Sequence, residues 1–194
     1  TVPFKKKVIP FLDKLSLEAE QAQSVNTICF NNGDLIGHNT DIRGFQRAIN
    51  SLNYKIKDKK ILILGAGGVV PSLIIALNKM EASEITISNR TSKKAEDLKI
   101  QFNKINTVSW GELPDFDMII NATSLGLNNE TIDLNTSKIG EGKFFYDVIY
   151  NPSETNFLRE GKKLGHQIEN GKLMFVYQAF EAFKLWHNIV PSIN

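Results

Sequence analysis

The segment Gly65-Ala66-Gly67-Gly68 follows an apolar run, Lys60-Ile61-Leu62-Ile63-Leu64, and leads into Val69-Val70-Pro71-Ser72-Leu73. A glycine turn between a strand and a helix presents main-chain N–H donors with no side chain in the way, which suits a pyrophosphate. Gly65 and Gly67 fill the first two positions of G-x-G-x-x-G and Gly68 adds room. Val70 stands at the third position, where it would hold the helix slightly farther from the strand. An NAD site usually places an acid about 20 residues further on, accepting the ribose hydroxyls. Here Ser88-Asn89-Arg90-Thr91 offers no acid. A charge-assisted bond from Arg90 to a phosphate is worth ~1.5–3 kcal/mol, enough to set a preference for NADP. The plain alternative is a solvated arginine at a strand end.

Other polar residues have ordinary readings when taken singly. Lys5 belongs to a lysine triplet, as in any solvated surface run, and Asp41 after Asn39-Thr40 suits a helix start. Asn26 suits a strand edge, and Tyr150-Asn151-Pro152 a turn. Gln178 lies in an apolar helical stretch, where a buried amide needs partners. His38, His166 and His187 lack metal-ligand spacing, and Cys29 is the only cysteine, which excludes an internal disulfide.

The elements that must hold these residues alternate. Strands are expected at 60–65, 85–88, 117–121 and 143–148, and helices at 72–77 and 92–102, the pattern of βαβ units in a parallel sheet. The flanks differ: an amphipathic helix within 8–24, a strand at 24–30, a turn at 31–34, a strand at 35–38, then a helix over 44–52. A last helix over 172–186 is apolar around most of its circumference and is expected to be buried. The 194 residues carry 23 basic and 21 acidic side chains, a net +2 that argues against a large nucleic-acid or anionic-membrane surface. No apolar run approaches the ~20 residues of a membrane span, and no signal peptide is expected. A reducing, cytoplasmic setting is expected (a plastid for a plant protein).

In chain order these segments resemble the shikimate dehydrogenase family. Thr1-Val2-Pro3-Phe4-Lys5 is similar to the end of its N-V-T-x-P-x-K motif, Ser24-Val25-Asn26-Thr27 to A-V-N-T, and Gly37-His38-Asn39-Thr40-Asp41 to G-x-N-T-D. The glycine turn, Asn89-Arg90-Thr91, Asn121-Ala122-Thr123-Ser124-Leu125-Gly126, Tyr150-Asn151-Pro152 and 171–178 continue the likeness along the chain.

The resemblance implies an α/β protein in which a Rossmann-like, doubly wound parallel sheet (51–170) binds NADP(H). A smaller, discontinuous α/β substrate domain (1–50 and 171–194) would lack the family's first strands and their Ser-x-Ser clamp. It implies reversible reduction of 3-dehydroshikimate to shikimate, without a metal, by a monomer or homodimer. Lys5 and Asp41 would be the catalytic pair, and Thr1, Asn26, Tyr150 and Gln178 would contact substrate. Gly65, Ala66, Gly67, Gly68, Val69, Asn89, Arg90, Thr91, Ser92, Lys93, Lys94 and Thr123 would hold the cofactor, with Val148, Gly171 and Met174 near its nicotinamide. Ile42 and Leu173 depart from glycines common in the family. Alternatives are a quinate/shikimate dehydrogenase using NAD and a non-catalytic nucleotide-binding fragment.

Overall fold

The computed structural model describes residues 3–192. Thr1, assigned above to substrate, lies outside the described residues. The chain divides into two compact units: Lys55–Val70 with Met80–Lys172, and a second unit made of the residues up to Tyr54, Pro71–Lys79 and the residues from Leu173 on. The division differs from the expected boundaries at one element, because residues 71–79, placed above within 51–170, group with the chain ends.

In the unit built from the chain ends, β1 (Lys14–Leu15) pairs in parallel with β3 (Asp34–His38), and β2 (Thr27–Asn31) pairs antiparallel with the other side of β3. Asn32 and Gly33, both at positive φ, close the β2–β3 hairpin, the dipeptide that a two-residue primed turn favours. The expected amphipathic helix within 8–24 is instead three pieces: a 3-10 turn at Ile9–Phe11, β1, and α1 (Leu17–Ala22). Leu12 is extended, Asp13 N–H donates to the Leu35 carbonyl, and the Ser16 hydroxyl caps α1 by accepting from Ala19 N–H. Sheet pairing and a new cap therefore override the helical periodicity of this stretch. Helix α2 (Asp41–Ser51) starts three residues before the expected Gly44 and buries Ile42, Phe45, Ala48 and Ile49 on one face.

The other unit holds a six-stranded, fully parallel sheet. Its strands are β4 (Lys60–Leu64), β5 (Glu84–Ser88), β6 (Asn106–Val108), β7 (Met118–Asn121), β8 (Phe144–Asp147) and β9 (Gln167–Glu169), in the order β6-β5-β4-β7-β8-β9. The order runs one way from β4 to β6 and the other way from β7 to β9. The reversal between β4 and β7 is the switch point at which open α/β sheets bind ligands, beyond the carboxyl ends of the strands. The apolar runs in β4, β7 and β8 are buried, as central parallel strands require. Helices α4 (Ser92–Gln101) and α5 (Asn156–Lys163) complete this unit, and Phe157 and Leu158 of α5 join Leu62, Ile119 and Phe145 in its core.

Helix α3 (Val70–Lys79) leaves the glycine turn with Pro71 in its first turn, where a missing N–H costs no helical bond. Val70, the departure at the third glycine position, is fully buried. The last helix, α6 (Lys172–His187), is not buried around its circumference as expected: Met174, Phe180, Glu181 and Ala182 are inside, while Phe175, Phe183, Leu185 and Trp186 are exposed. Its apolar content spreads over more of the helix than the packed stripe covers. Among the described residues no helix is long and apolar enough to cross a membrane.

Candidate active site

Lys5 lies in the turn before β1, and Asp41 opens α2. Lys5 Nζ donates to Asp41 Oδ2 at 2.5 Å, and the two side chains are 11% and 8% exposed. The remaining carboxylate oxygen accepts from Asn26 Nδ2 at 3.0 Å. Asn26 is in turn held at both ends of its amide: Nδ2 also donates to Thr40 Oγ1, and Oδ1 accepts from Thr40 N–H at 2.9 Å. The Lys5 carbonyl accepts from Val25 N–H at 2.8 Å, so the segment bearing Asn26 is fastened to the backbone of Lys5 itself. At the start of α2 the side chain of Asn39 replaces a hydroxyl cap, its Oδ1 accepting from Asp41 N–H at 3.1 Å and Ile42 N–H at 3.4 Å. A carboxylate in the first turn is also favoured by the helix dipole. Lys5, Asn26 and Asp41, distant in sequence, are thus brought together. The arrangement can hold a cationic proton donor in one place, with its charge compensated and little room for water.

Gln178 is half-buried on α6 and packs against Gly44 of α2, its amide donating to the Phe175 carbonyl at 2.9 Å. Met174, one turn earlier, is buried. Tyr150 belongs to the parallel-sheet unit and is exposed just after β8, before the cis Asn151–Pro152 bond.

The glycine turn leaves β4 at Gly65, whose φ of +110° disfavours any L side chain and whose added Cβ would come within 2.9 Å of the Ala122 carbonyl oxygen. Ala122 N–H donates to the Leu64 carbonyl and Gly65 N–H to the Ser88 carbonyl, so the ends of β4, β5 and β7 meet here. Beyond Gly65, Ala66 and Val69 are half-buried and Gly67 and Gly68 exposed, leaving the turn open on its outer side. Thr123 lies against Gly65, its N–H and hydroxyl both donating to Asn121 Oδ1 at 3.0 and 2.7 Å.

The loop after β5 begins at Asn89, directly after Ser88, the register partner of Leu64. Asn89 Nδ2 donates to the Thr91 carbonyl at 2.8 Å, which folds the loop back on itself. Arg90, Thr91, Ser92, Lys93 and Lys94 are all exposed. Helix α4 has no side-chain cap at Thr91 and no acid in its first turn, and Lys93 and Lys94 stand there instead. Among the described residues, Arg90, Lys93 and Lys94 have no ion-pair partner. Three cations at a helix N-terminus are electrostatically unfavourable unless an anion compensates them. The open glycine cradle and this basic corner on the adjacent strand both fit a phosphorylated dinucleotide.

One group was not singled out by sequence reasoning. Asp147, at the end of β8, is fully buried and in register with Asn121. Its carboxylate accepts from Asn121 Nδ2 at 3.1 Å, Ile149 N–H at 2.9 Å and Thr155 Oγ1 at 2.6 Å. Burial pushes its pKa up from the usual carboxylate value, against the opposing pull of the Thr155, Ile149 and Asn121 donors. Thr155 also caps α5 by accepting from Leu158 N–H. The carboxylate therefore ties together the loop that carries Thr123 and the loop that carries Val148. Val148 is half-buried, its N–H donating to the Asn121 carbonyl, and buried Gly171 donates to the Ile149 carbonyl at 3.1 Å. The available signal was an acid ending an apolar strand run, with an asparagine at the same place on the preceding strand.

A parallel sheet of this order, with a glycine turn at its switch point and a separate buried lysine–carboxylate pair, defines a pyridine-dinucleotide-dependent oxidoreductase. The family model for shikimate / quinate 5-dehydrogenase matches residues 46–144. The shikimate dehydrogenase (NADP(+)) of Pelagibacter ubique is 57% identical over 195 residues, covering 100% of this chain and 74% of that protein. Among solved structures, shikimate dehydrogenase from Aquifex aeolicus matches with a TM-score of 0.91 and 37% identity over 99% of this chain and 72% of that one. The Thermus thermophilus shikimate 5-dehydrogenase in complex with NADP(H) and shikimate matches with a TM-score of 0.90 and 32% identity, over 99% and 73% of the two chains. The chain belongs to the shikimate / quinate 5-dehydrogenase family.

Proposed function

We propose that the protein catalyses the reversible, NADP-dependent reduction of 3-dehydroshikimate to shikimate. The observation that carries this reading is the Lys5–Asp41 pair with Asn26 on its remaining carboxylate oxygen. When bound, NADPH supplies the hydride. Reduction of a ketone builds negative charge on its oxygen and ends with a proton there, so a fixed cation that is also an acid fits the need. Lys5 is assigned that role, with its ammonium donating to the reacting oxygen and passing a proton to it. Asp41 holds the Lys5 ammonium in place through their direct hydrogen bond. Asn26, Gln178, Tyr150 and Thr1 are assigned to the substrate's ring hydroxyls and carboxylate.

The cofactor assignment rests on the Gly65–Gly68 turn, Thr123 and the basic corner. Arg90, with Asn89, Thr91, Ser92, Lys93 and Lys94, is assigned to the phosphate that distinguishes NADP from NAD, because the end of β5 carries no acid for a free ribose hydroxyl. Val148, Gly171 and Met174 are assigned to the nicotinamide end. The test is NADPH oxidation, followed optically, with 3-dehydroshikimate and then with 3-dehydroquinate as substrate, repeated with NADH. Turnover with NADPH and 3-dehydroshikimate well above the other pairings is expected. Preference for NADH, or for the quinate analogue, would overturn the substrate and cofactor assignment.

A further inference from the structure

Asn39 joins three segments from a buried position. Its Nδ2 donates to the Ser24 carbonyl and to Ser72 Oγ, each at 2.9 Å, while its Oδ1 accepts from the first two N–H groups of α2. Asn39 is 5% exposed and Ser72 0%. Buried polar groups cost stability unless paired, and an apolar pair of similar size would fill the same space. What the polar pair adds is direction. Ser72 lies in the first turn of α3, the helix that the chain enters directly from the Gly65–Gly68 turn. The other end of the Asn39 side chain sets the N–H groups of Asp41 and Ile42, and with them the carboxylate that holds Lys5.

We propose that Asn39 and Ser72 are a positioning pair that links the glycine turn to Asp41, so that cofactor binding at the turn tightens substrate binding at the Lys5–Asp41 pair. The linkage rests on the function proposed above. Cofactor that fixes the turn fixes the start of α3, and Ser72 passes that restraint through Asn39 to the first turn of α2. Linkage is reciprocal: substrate tightens cofactor by the same factor, and such factors commonly run ~5–150-fold.

The test uses the full chain with shikimate and NADPH, both reduced, so that no turnover occurs. The shikimate Kd is measured by calorimetry with and without saturating NADPH, and the ratio of the two is the coupling factor. Ser72→Ala removes the link yet leaves Asn39 bonded to Ser24 and to α2. Ser72→Cys keeps nearly the same volume with a poor hydrogen-bonding group, and serves as the second reading should the alanine variant fold poorly. The wild type is expected to show a factor of ~5-fold or more, and both variants a factor within ~2-fold of one. A merely structural role would lower the melting temperature and leave the factor unchanged. A factor near one in the wild type, or a wild-type factor retained in the variants, overturns the linkage while leaving the enzyme reading intact. A wild type that binds neither ligand overturns that reading and the linkage together.

Discussion

The two units hold their charges in opposite ways. In the unit built from the chain ends, Lys5 and Asp41 are nearly buried, and each carboxylate oxygen of Asp41 has a donor of its own. In the parallel-sheet unit, Arg90, Lys93 and Lys94 are exposed at an uncapped helix start without an acid partner among the described residues. Elsewhere in the same unit a helix start is treated conventionally, with Thr155 capping α5. The contrast matches the two tasks proposed above. Chemistry needs a charge fixed before substrate arrives, because a group that must reorient during the reaction raises the barrier. Binding a multiply charged ligand needs cations whose compensation comes from the ligand itself. Catalytic power and cofactor affinity should therefore be separable by mutation.

The sharpest break in that comparison is Lys5→Ala. Loss of a positioned acid lowers kcat by ~10²–10⁴-fold, checked by steady-state NADPH oxidation with 3-dehydroshikimate. Asp41→Ala should fall in the same range, since it leaves Lys5 as an uncompensated, mostly buried charge. On the other unit, Arg90→Ala should raise the KM for NADPH by roughly 10–100-fold and leave kcat nearly unchanged, with NADH kinetics hardly altered. An equal change for both cofactors would remove Arg90 from the phosphate site.

Thr155→Val sharpens the comparison within the sheet unit, because it takes both a cap from α5 and a donor from buried Asp147. A loss of ~1–2 kcal/mol in urea unfolding is expected, and an unchanged midpoint would show the network to be unimportant. The smallest effect concerns Glu130. The amide of Asn128, its own amide and that of Gly126 hold its carboxyl down at about 2. A lowered folded pKa means stabilisation that is complete above the ordinary glutamate pKa and lost as pH falls toward 2. The stability difference between wild type and Glu130→Gln should be constant at neutral pH and shrink steadily in that acid window, as read by thermal unfolding across pH.

These outcomes also bear on what the sequence alone could convey. The conformation of the glycine turn was legible because it is local, and the alternation of strands and helices puts both it and Asn89-Arg90-Thr91 at strand ends. Lys5 and Asp41 were opaque singly. They are 36 residues apart, and nothing in either neighbourhood distinguishes a paired, mostly buried lysine from a solvated one. Only the family resemblance paired them. Asp147 escaped notice because its meaning depends on register with Asn121, which requires knowing that β7 and β8 are neighbours. The stretch 8–24 misled through its periodicity: the parallel pairing of Lys14 and Leu15 with β3 is a tertiary choice that local pattern does not contain.

The division of labour is tested most directly by titrating NADPH into Lys5→Ala, following nucleotide fluorescence, and then adding 3-dehydroshikimate to the same sample. Binding should stay within ~2-fold of wild type while turnover falls by at least ~10²-fold. Turnover close to wild type, or a loss of NADPH binding as large as the loss of turnover, would contradict it.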